Sequence, residues 1–162
     1  MNITATTQPA RKNVSDIGHE LNFSKNLQAV TNKIHAASDI DEIMLEVSKD
    51  ICALFHADRL TIYTLSEDKS FLTSRVKTGL DSFQDLKLPV TESSIAGYVG
   101  LQKKAVNIED VYNKSELKKI SALLLFPHEV DKRTGYRTKQ MLVAPILSAD
   151  NQELMGVVQV IN

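Results

Sequence analysis

The chain has 162 residues, 43% of them hydrophobic and 24% charged, with a formal net charge of -1. That balance fits one domain with its own core plus some excess at an end, and it gives no global bias toward nucleic acid or an anionic membrane surface. No apolar run approaches the roughly 20 residues of a membrane span, the opening MNITATTQPARKN lacks the apolar stretch of a secretory signal, and the lone Cys52 has no partner for an internal disulfide; a cytoplasmic location is expected.

Residues 1–14 are rich in Thr, Ala, Asn and Gln and carry Pro9, the composition of a disordered tail. From Ser15 the pattern is helical. Phe23, Leu27, Val30, Ile34 and Ala37 recur at spacings of four and three, so they share one apolar stripe. Two heptads do not establish a coiled coil, and the stripe fits a partner helix or this chain's own sheet equally well. SDIDEIMLEVSKDICALFH is the clearest helix. Ser38 or Asp39 is placed to cap it, Asp41 and Glu42 suit the positive end of its dipole, and Ile40, Ile43, Val47, Ile51 and Leu54 form the buried stripe. Cys52 beside that stripe reads as a small half-buried hydrophobe.

Strand chemistry follows. Residues 58–66 (DRLTIYTLS) and 70–79 (SFLTSRVKTG) predict a hairpin across Glu67-Asp68-Lys69. LKLPV (86–90) predicts a short strand, ESSIAGYVGLQ (92–102) a short helix entered through serines, and KAVNI (104–108) another brief strand. MLVAPILS and ELMGVVQVI predict a last hairpin, with Pro145 implying an edge or a bulge because it cannot donate to a ladder. Between Tyr112 and Gly135 lies a long connection. Its SELKKISALLLF portion has helical spacing, with Ser115 as the expected cap and Pro127 as the stop, and its HEVDKRTG portion has few apolar anchors. From Lys114 to Lys139 there are seven Lys/Arg against three acids, which fits either a solvated face or an anion-attracting cover. The order of elements predicts an α+β domain with one mostly antiparallel sheet.

Catalytic motifs are missing. No phosphate loop of the G-x-x-x-x-G-K-[ST] type and no G-x-G-x-x-G occurs. His19, His35, His56 and His128 have no metal-like spacing with one another or with Cys52. Nothing has the form of a nucleophile elbow. The balance favours a binding module over an enzyme. Two polar residues break apolar strands: Thr61 in LTIYTL and Gln159 in GVVQVI. A buried polar group needs a hydrogen-bond partner or costs about 1–3 kcal/mol, so these two face either solvent or a ligand cavity.

Four passages carry a resemblance: ADRLTIYTL, LPVTESSIAGYVGLQKKAVNIEDVY, VDKRTGYRTKQMLVAPI and GVVQVIN. Through most of residues 24–162 the chain resembles the GAF domain, and within it the cyclic-nucleotide subgroup of phosphodiesterases, some adenylyl cyclases and bacterial regulators. The resemblance implies an α+β fold with N-terminal helices on one face of a single, mostly antiparallel sheet and a ligand lid on the other, spanning residues 15–162. It implies a ligand pocket formed by Thr61, by backbone N–H groups at Ile95 and Ala96, by Tyr112 and by Gln159, with a cyclic nucleotide as the candidate ligand and no metal. The implied role is a sensory module that passes its ligand state to an attached output domain and pairs with a second copy through the N-terminal helix. The alternative is a GAF-fold dimerisation module with an empty or vestigial pocket. Two GAF-type chemistries are disfavoured: a sulfoxide reductase relies on several cysteines, and Cys52 lies in the wrong element to hold a bilin. The chain departs from the subgroup in a longer segment between Tyr112 and Asp131, in Gln at position 159 where an acid is usual, and in stopping at Asn162 before the subgroup's C-terminal helix.

Overall fold

The computed structural model describes residues 14–36, 40–78 and 86–162. The expected tail, apart from Val14, and the cap at Ser38 or Asp39 lie outside them. Two helices open the chain, α1 (Val14–Ala36) and α2 (Ile40–Phe55), followed by the strands β1 (Arg59–Leu65), β2 (Phe71–Thr78) and β3 (Lys87–Pro89). Then come α3 (Ile95–Gln102), β4 (Val106–Ile108), α4 (Lys114–Ile120), α5 (Glu129–Thr134), β5 (Met141–Leu147) and β6 (Leu154–Ile161). The strands form one sheet in the order β3-β2-β1-β6-β5-β4, and every neighbouring pair is antiparallel. The α+β architecture expected from the sequence is the one observed.

Strand alternation divides the sheet into two faces. Leu60, Ile62 and Val160 pack against Cys52 of α2 on one face. Tyr63, Leu72, Val143, Val157 and Ile161 face the other way, into a larger core with Ile95, Ala96 and Val99 of α3 and with Leu117 and Leu124 of the long crossover. The N-terminal helices and the crossover thus occupy opposite faces. Pro145 pairs with Val157 of β6, whereas β4 reaches only residues 141–143 of β5, so the proline sits where no second neighbour needs its missing donor, next to a register shift at Ile146/Leu147.

The long α1 is less buried than a helix packed on a sheet. Val30 is buried, but Ile17, Leu21, Phe23 and Leu27 are each 43–54% exposed. The ring of Phe23 meets that of Phe55 edge-on at 6.2 Å, and Phe55 is itself 43% exposed.

Two expectations about the crossover are corrected. The helix expected through 115–126 ends at Ile120, where Ser121 turns to an extended conformation (φ -154°, ψ 140°), and Leu125 instead hydrogen-bonds through its N–H to Ser93 O at 3.1 Å. The cap is Asn113, not Ser115; its side-chain oxygen accepts from the N–H groups of Ser115 and Glu116 at 3.1 and 3.2 Å. Glu116 in turn accepts from the backbone N–H groups of Glu109 and Asp110, which ties α4 to the end of β4.

The centre of the sheet is closed around Gly156, opposite Thr64 in β1. A Cβ there would stand 2.2 Å from Tyr63 O, so the β1 backbone itself would have to shift. Gly156→Ala is therefore expected to lower the unfolding free energy by about 1–3 kcal/mol, measured as a reduced urea midpoint with an unchanged slope.

Candidate functional site

A cavity lies between the crossover face of the sheet, the start of α3 and the segment 126–131. Its enclosed space is about 110 Å³, and about 730 Å³ when the open mouth is counted. Thr61 and Gln159 share one wall because they are direct cross-strand partners, with Val143 on the other side of Gln159. Thr61 is 2% exposed, and no described residue hydrogen-bonds its hydroxyl or the Gln159 amide. Tyr63, Leu86, Leu88 and Met141 give the remaining surface an apolar character.

The start of α3 forms the opposite wall. Ser94 is its cap, in an extended conformation, and its hydroxyl accepts from Gly97 N–H at 3.0 Å. Ile95 and Ala96, both buried, line the cavity, and as the first two residues of the helix their N–H groups have no acceptor within it. The approach of the 89–91 backbone to α3 requires glycine at 97, since a Cβ would lie 2.5 Å from Thr91 O and 2.7 Å from Pro89 O.

The cover over the cavity is better anchored than its charge-rich sequence implies. Asp131 of α5 lines the cavity and is only 6% exposed. Its carboxylate accepts from the hydroxyl of Tyr112 at 2.9 Å, from Thr138 N–H at 2.8 Å and from Thr138 Oγ1 at 2.8 Å. Tyr112 therefore does not line the cavity; it stands behind Asp131, its ring stacked on His128 at 4.5 Å and tilted against Phe126 at 5.6 Å. Burial and the bond to Asp131 raise the Tyr112 phenol above its usual value. Arg137 places its guanidinium 4.3 Å from the Tyr112 ring centre and 4.0 Å from the Asp110 carboxylate, which ties the TGYRT turn to the segment after β4.

A second tyrosine pins the other end of α5. Gly135 closes the helix at φ 68°, a left-handed conformation open to glycine at little cost. Tyr136 follows it, donating to Asp58 Oδ2 at 2.8 Å beneath the guanidinium of Arg59, which lies 3.8 Å from the ring centre and borders the cavity. Burial first, and then the Asp58 bond, push the Tyr136 phenol up to about 12.

Of the five residues expected to meet at a site, Thr61, Ile95, Ala96 and Gln159 border this one cavity, and Tyr112 is one side chain removed from it. Sequence reasoning missed Asp131, Thr138, Arg59 and Tyr136. The available signal was the single acid in VDKRTGYRT that stands among cations with a threonine seven residues on. Among the described residues no group of three His, Cys, Asp or Glu could hold a metal ion.

Comparison with known proteins completes the description. The family model described as GAF domain matches residues 39–162. The dual 3',5'-cyclic-AMP and -GMP phosphodiesterase 11A of Takifugu rubripes is 30% identical over 138 residues, 76% of this chain and 14% of that protein. The cGMP-specific 3',5'-cyclic phosphodiesterase of Drosophila melanogaster is 26% identical over 175 residues, 99% of this chain and again 14% of the relative. The chain thus spans only a small part of the curated relatives it matches. Among solved structures, the GAF domain of a phosphoenolpyruvate-protein phosphotransferase from Coxiella burnetii superposes with a TM-score of 0.71 at 19% identity, covering 88% of this chain and 78% of that one. At these identities the solved structures establish the fold alone.

Tyr136 gives this site a pH dependence. Its folded value lies above the unfolded value of about 10, so its contribution to stability is complete below about pH 10 and is lost as pH rises through about 12. Tyr136→Phe is expected to make the alkaline fall of unfolding free energy less steep, in a series of urea titrations between those two pH values.

Proposed function

Because the chain belongs to the GAF domain family, we propose that it is a small-ligand sensory module that passes its ligand state to an attached output domain, with a cyclic nucleotide as the candidate ligand. One observation carries the reading: the two polar residues that break their strands are cross-strand partners on the wall of a largely apolar cavity, facing the start of a helix. The free N–H groups at Ile95 and Ala96 and the positive end of the α3 dipole suit an anionic oxygen. Thr61 and Gln159 supply hydrogen bonds to the polar edge of a ring. The relatives named as cyclic-nucleotide phosphodiesterases support the nucleotide. The role is regulatory and not catalytic: Cys52 packs on the opposite face of the sheet from the cavity, with its thiol pushed up by burial.

A second reading, a GAF-fold dimerisation module, is favoured by two observations. The cavity volume of about 110 Å³ falls below the roughly 300 Å³ at the small end of ligand pockets, and α1 leaves Ile17, Leu21, Phe23 and Leu27 43–54% exposed. The two readings share the dimer. A cytoplasmic location belongs to the same proposal; no described helix is long and apolar enough to cross a membrane.

Calorimetry with cyclic AMP and cyclic GMP separates the readings. Binding of either is expected, and Gln159→Leu, which removes hydrogen bonding at similar volume, should weaken it roughly tenfold with the thermal midpoint retained. Failure of both nucleotides at millimolar concentration would remove the nucleotide and favour the second reading. For the dimer, sedimentation at micromolar concentration should give twice 18.0 kDa, and Leu27→Lys should shift the population toward monomer. A wild-type chain that sediments as a monomer would rule out pairing through α1.

A further inference from the structure

Strand alternation sets three side chains of β1 on the cavity wall: Arg59, Thr61 and Tyr63 stand two residues apart, along one line of about 13 Å. Thr61 and Tyr63 are each 2% exposed, and no described residue hydrogen-bonds either hydroxyl. Neither oxygen is sealed in, because among the described residues only His128 Nδ1 is a fully enclosed side-chain polar atom without a partner. The two hydroxyls therefore open into the cavity they line. Burial pushes the Tyr63 phenol up, so it remains a neutral group at physiological pH.

Arg59 ends the row, and it is the one cation among the described residues that line the cavity. Its guanidinium rests 3.8 Å from the centre of the Tyr136 ring, and no carboxylate of the described residues lies within ion-pair distance of it. The nearby acids are engaged elsewhere. Asp58 accepts from the Tyr136 hydroxyl, and Asp131, the one acid of the described lining, accepts from Tyr112 and Thr138. The cross-strand partner of Arg59 is Ile161, whose side chain offers no acceptor. Stacking on a ring holds the planar guanidinium by its face and leaves the N–H fork at its edge free. In the same cavity the N–H groups of Ile95 and Ala96, at the start of α3, are a second set of donors without an acceptor in their helix.

We propose that Arg59 holds the anionic end of the cavity's ligand, a phosphate or carboxylate group taken between its N–H fork and the N–H groups at the start of α3. Two parallel N–H donors match two oxygens of one oxyanion, a geometric selection that a helix dipole does not supply. Thr61, Gln159 and Tyr63 then meet the neutral part of the same molecule, and Leu86, Leu88 and Met141 meet its apolar surface. The site thus selects an oxyanion joined to an uncharged hydrogen-bonding group and disfavours ligands that are wholly neutral or cationic. The resemblance assigns the anion to backbone N–H groups; Arg59 adds a charged side chain from β1. The inference rests on the sensory reading of the cavity and does not require the ligand to be a nucleotide.

Amide and guanidinium NMR of the full chain tests the assignment, in titrations with sodium phosphate and with sodium acetate against sodium chloride at one ionic strength. Phosphate or acetate should shift the Ile95 and Ala96 amides and the Arg59 Nε–H resonance saturably at millimolar concentration, and chloride should not. Arg59→Ala should weaken that binding about tenfold or more, the scale of a charge-assisted hydrogen bond. Arg59→Lys keeps the charge without the fork and should recover only part of the loss; its urea midpoint shows that the cavity compared is a folded one. Saturation by phosphate and not by acetate identifies the anion as a phosphate, and the reverse identifies a carboxylate. No saturable shift with either anion, or equal affinity in wild type and Arg59→Ala, would overturn the proposal, and full recovery in Arg59→Lys would overturn the fork. Calorimetry with cyclic GMP is a separate arm. If it fails to bind wild type while phosphate or acetate saturates at Arg59, the nucleotide is removed and the Arg59 site stands. If it binds wild type and Arg59→Ala equally, the Arg59 site is overturned and the sensory reading stands.

Discussion

Asp131 carries a carboxylate into an interior that supplies no cation to it among the described ion pairs. It stands instead on three neutral donors: one phenol, one hydroxyl and one backbone N–H. Burying a charge is expensive unless hydrogen bonds replace its water, so those donors cannot be removed one at a time without consequence. They come from both sides of the crossover, Tyr112 before α4 and Thr138 before β5. The carboxylate therefore fixes where a segment of more than twenty residues leaves the body of the domain and where it returns. The rest of the cover is arranged around that constraint: Gly135 turns the chain immediately after α5, and Tyr136 anchors it to the root of β1.

Antiparallel pairing gives the cavity its other side. With β1 and β6 in register, Thr61 and Gln159 stand opposite each other, and the period-two alternation sends both away from α2 and toward α3. A slip of one residue would turn both toward the helical face and bring Leu60 and Val160 to the cavity. The closeness of Gly156 to Tyr63 O works against such a slip, because a residue with a Cβ could not occupy that position in the ladder.

The sheet and its two faces were legible in the sequence because they follow from local alternation, and Pro145 marked where β5 loses its second neighbour. Thr61 and Gln159 were legible for the same reason: they break a regular pattern, and a break at two positions of two strands identifies one face. The crossover was not legible. SELKKISALLLF keeps helical spacing throughout, yet its second half leaves the helix through a turn at Ala122–Leu123, and Leu125 bonds the backbone of Ser93, a contact no local pattern encodes. Tyr112 was placed at the cavity by resemblance, whereas an aspartate nineteen residues further on holds its hydroxyl behind the cavity wall. In this segment long-range hydrogen bonds overrule spacing.

The charges of the crossover now have a physical sense. A segment with seven cations and three acids feeds an apolar strand because it turns the cations outward: Lys118, Lys119, Lys132, Arg133 and Lys139 are exposed, while one acid, Asp131, goes inside. The outer surface of the cover is therefore more positive than its composition implies, since the inward acid offsets it only through the interior. Inside, the start of α3 and the guanidinium of Arg59 continue the same sign, whereas the Asp131 carboxylate opposes it from the wall that α5 supplies. The body of the domain and the wall that α5 supplies therefore present opposite charges across the cavity.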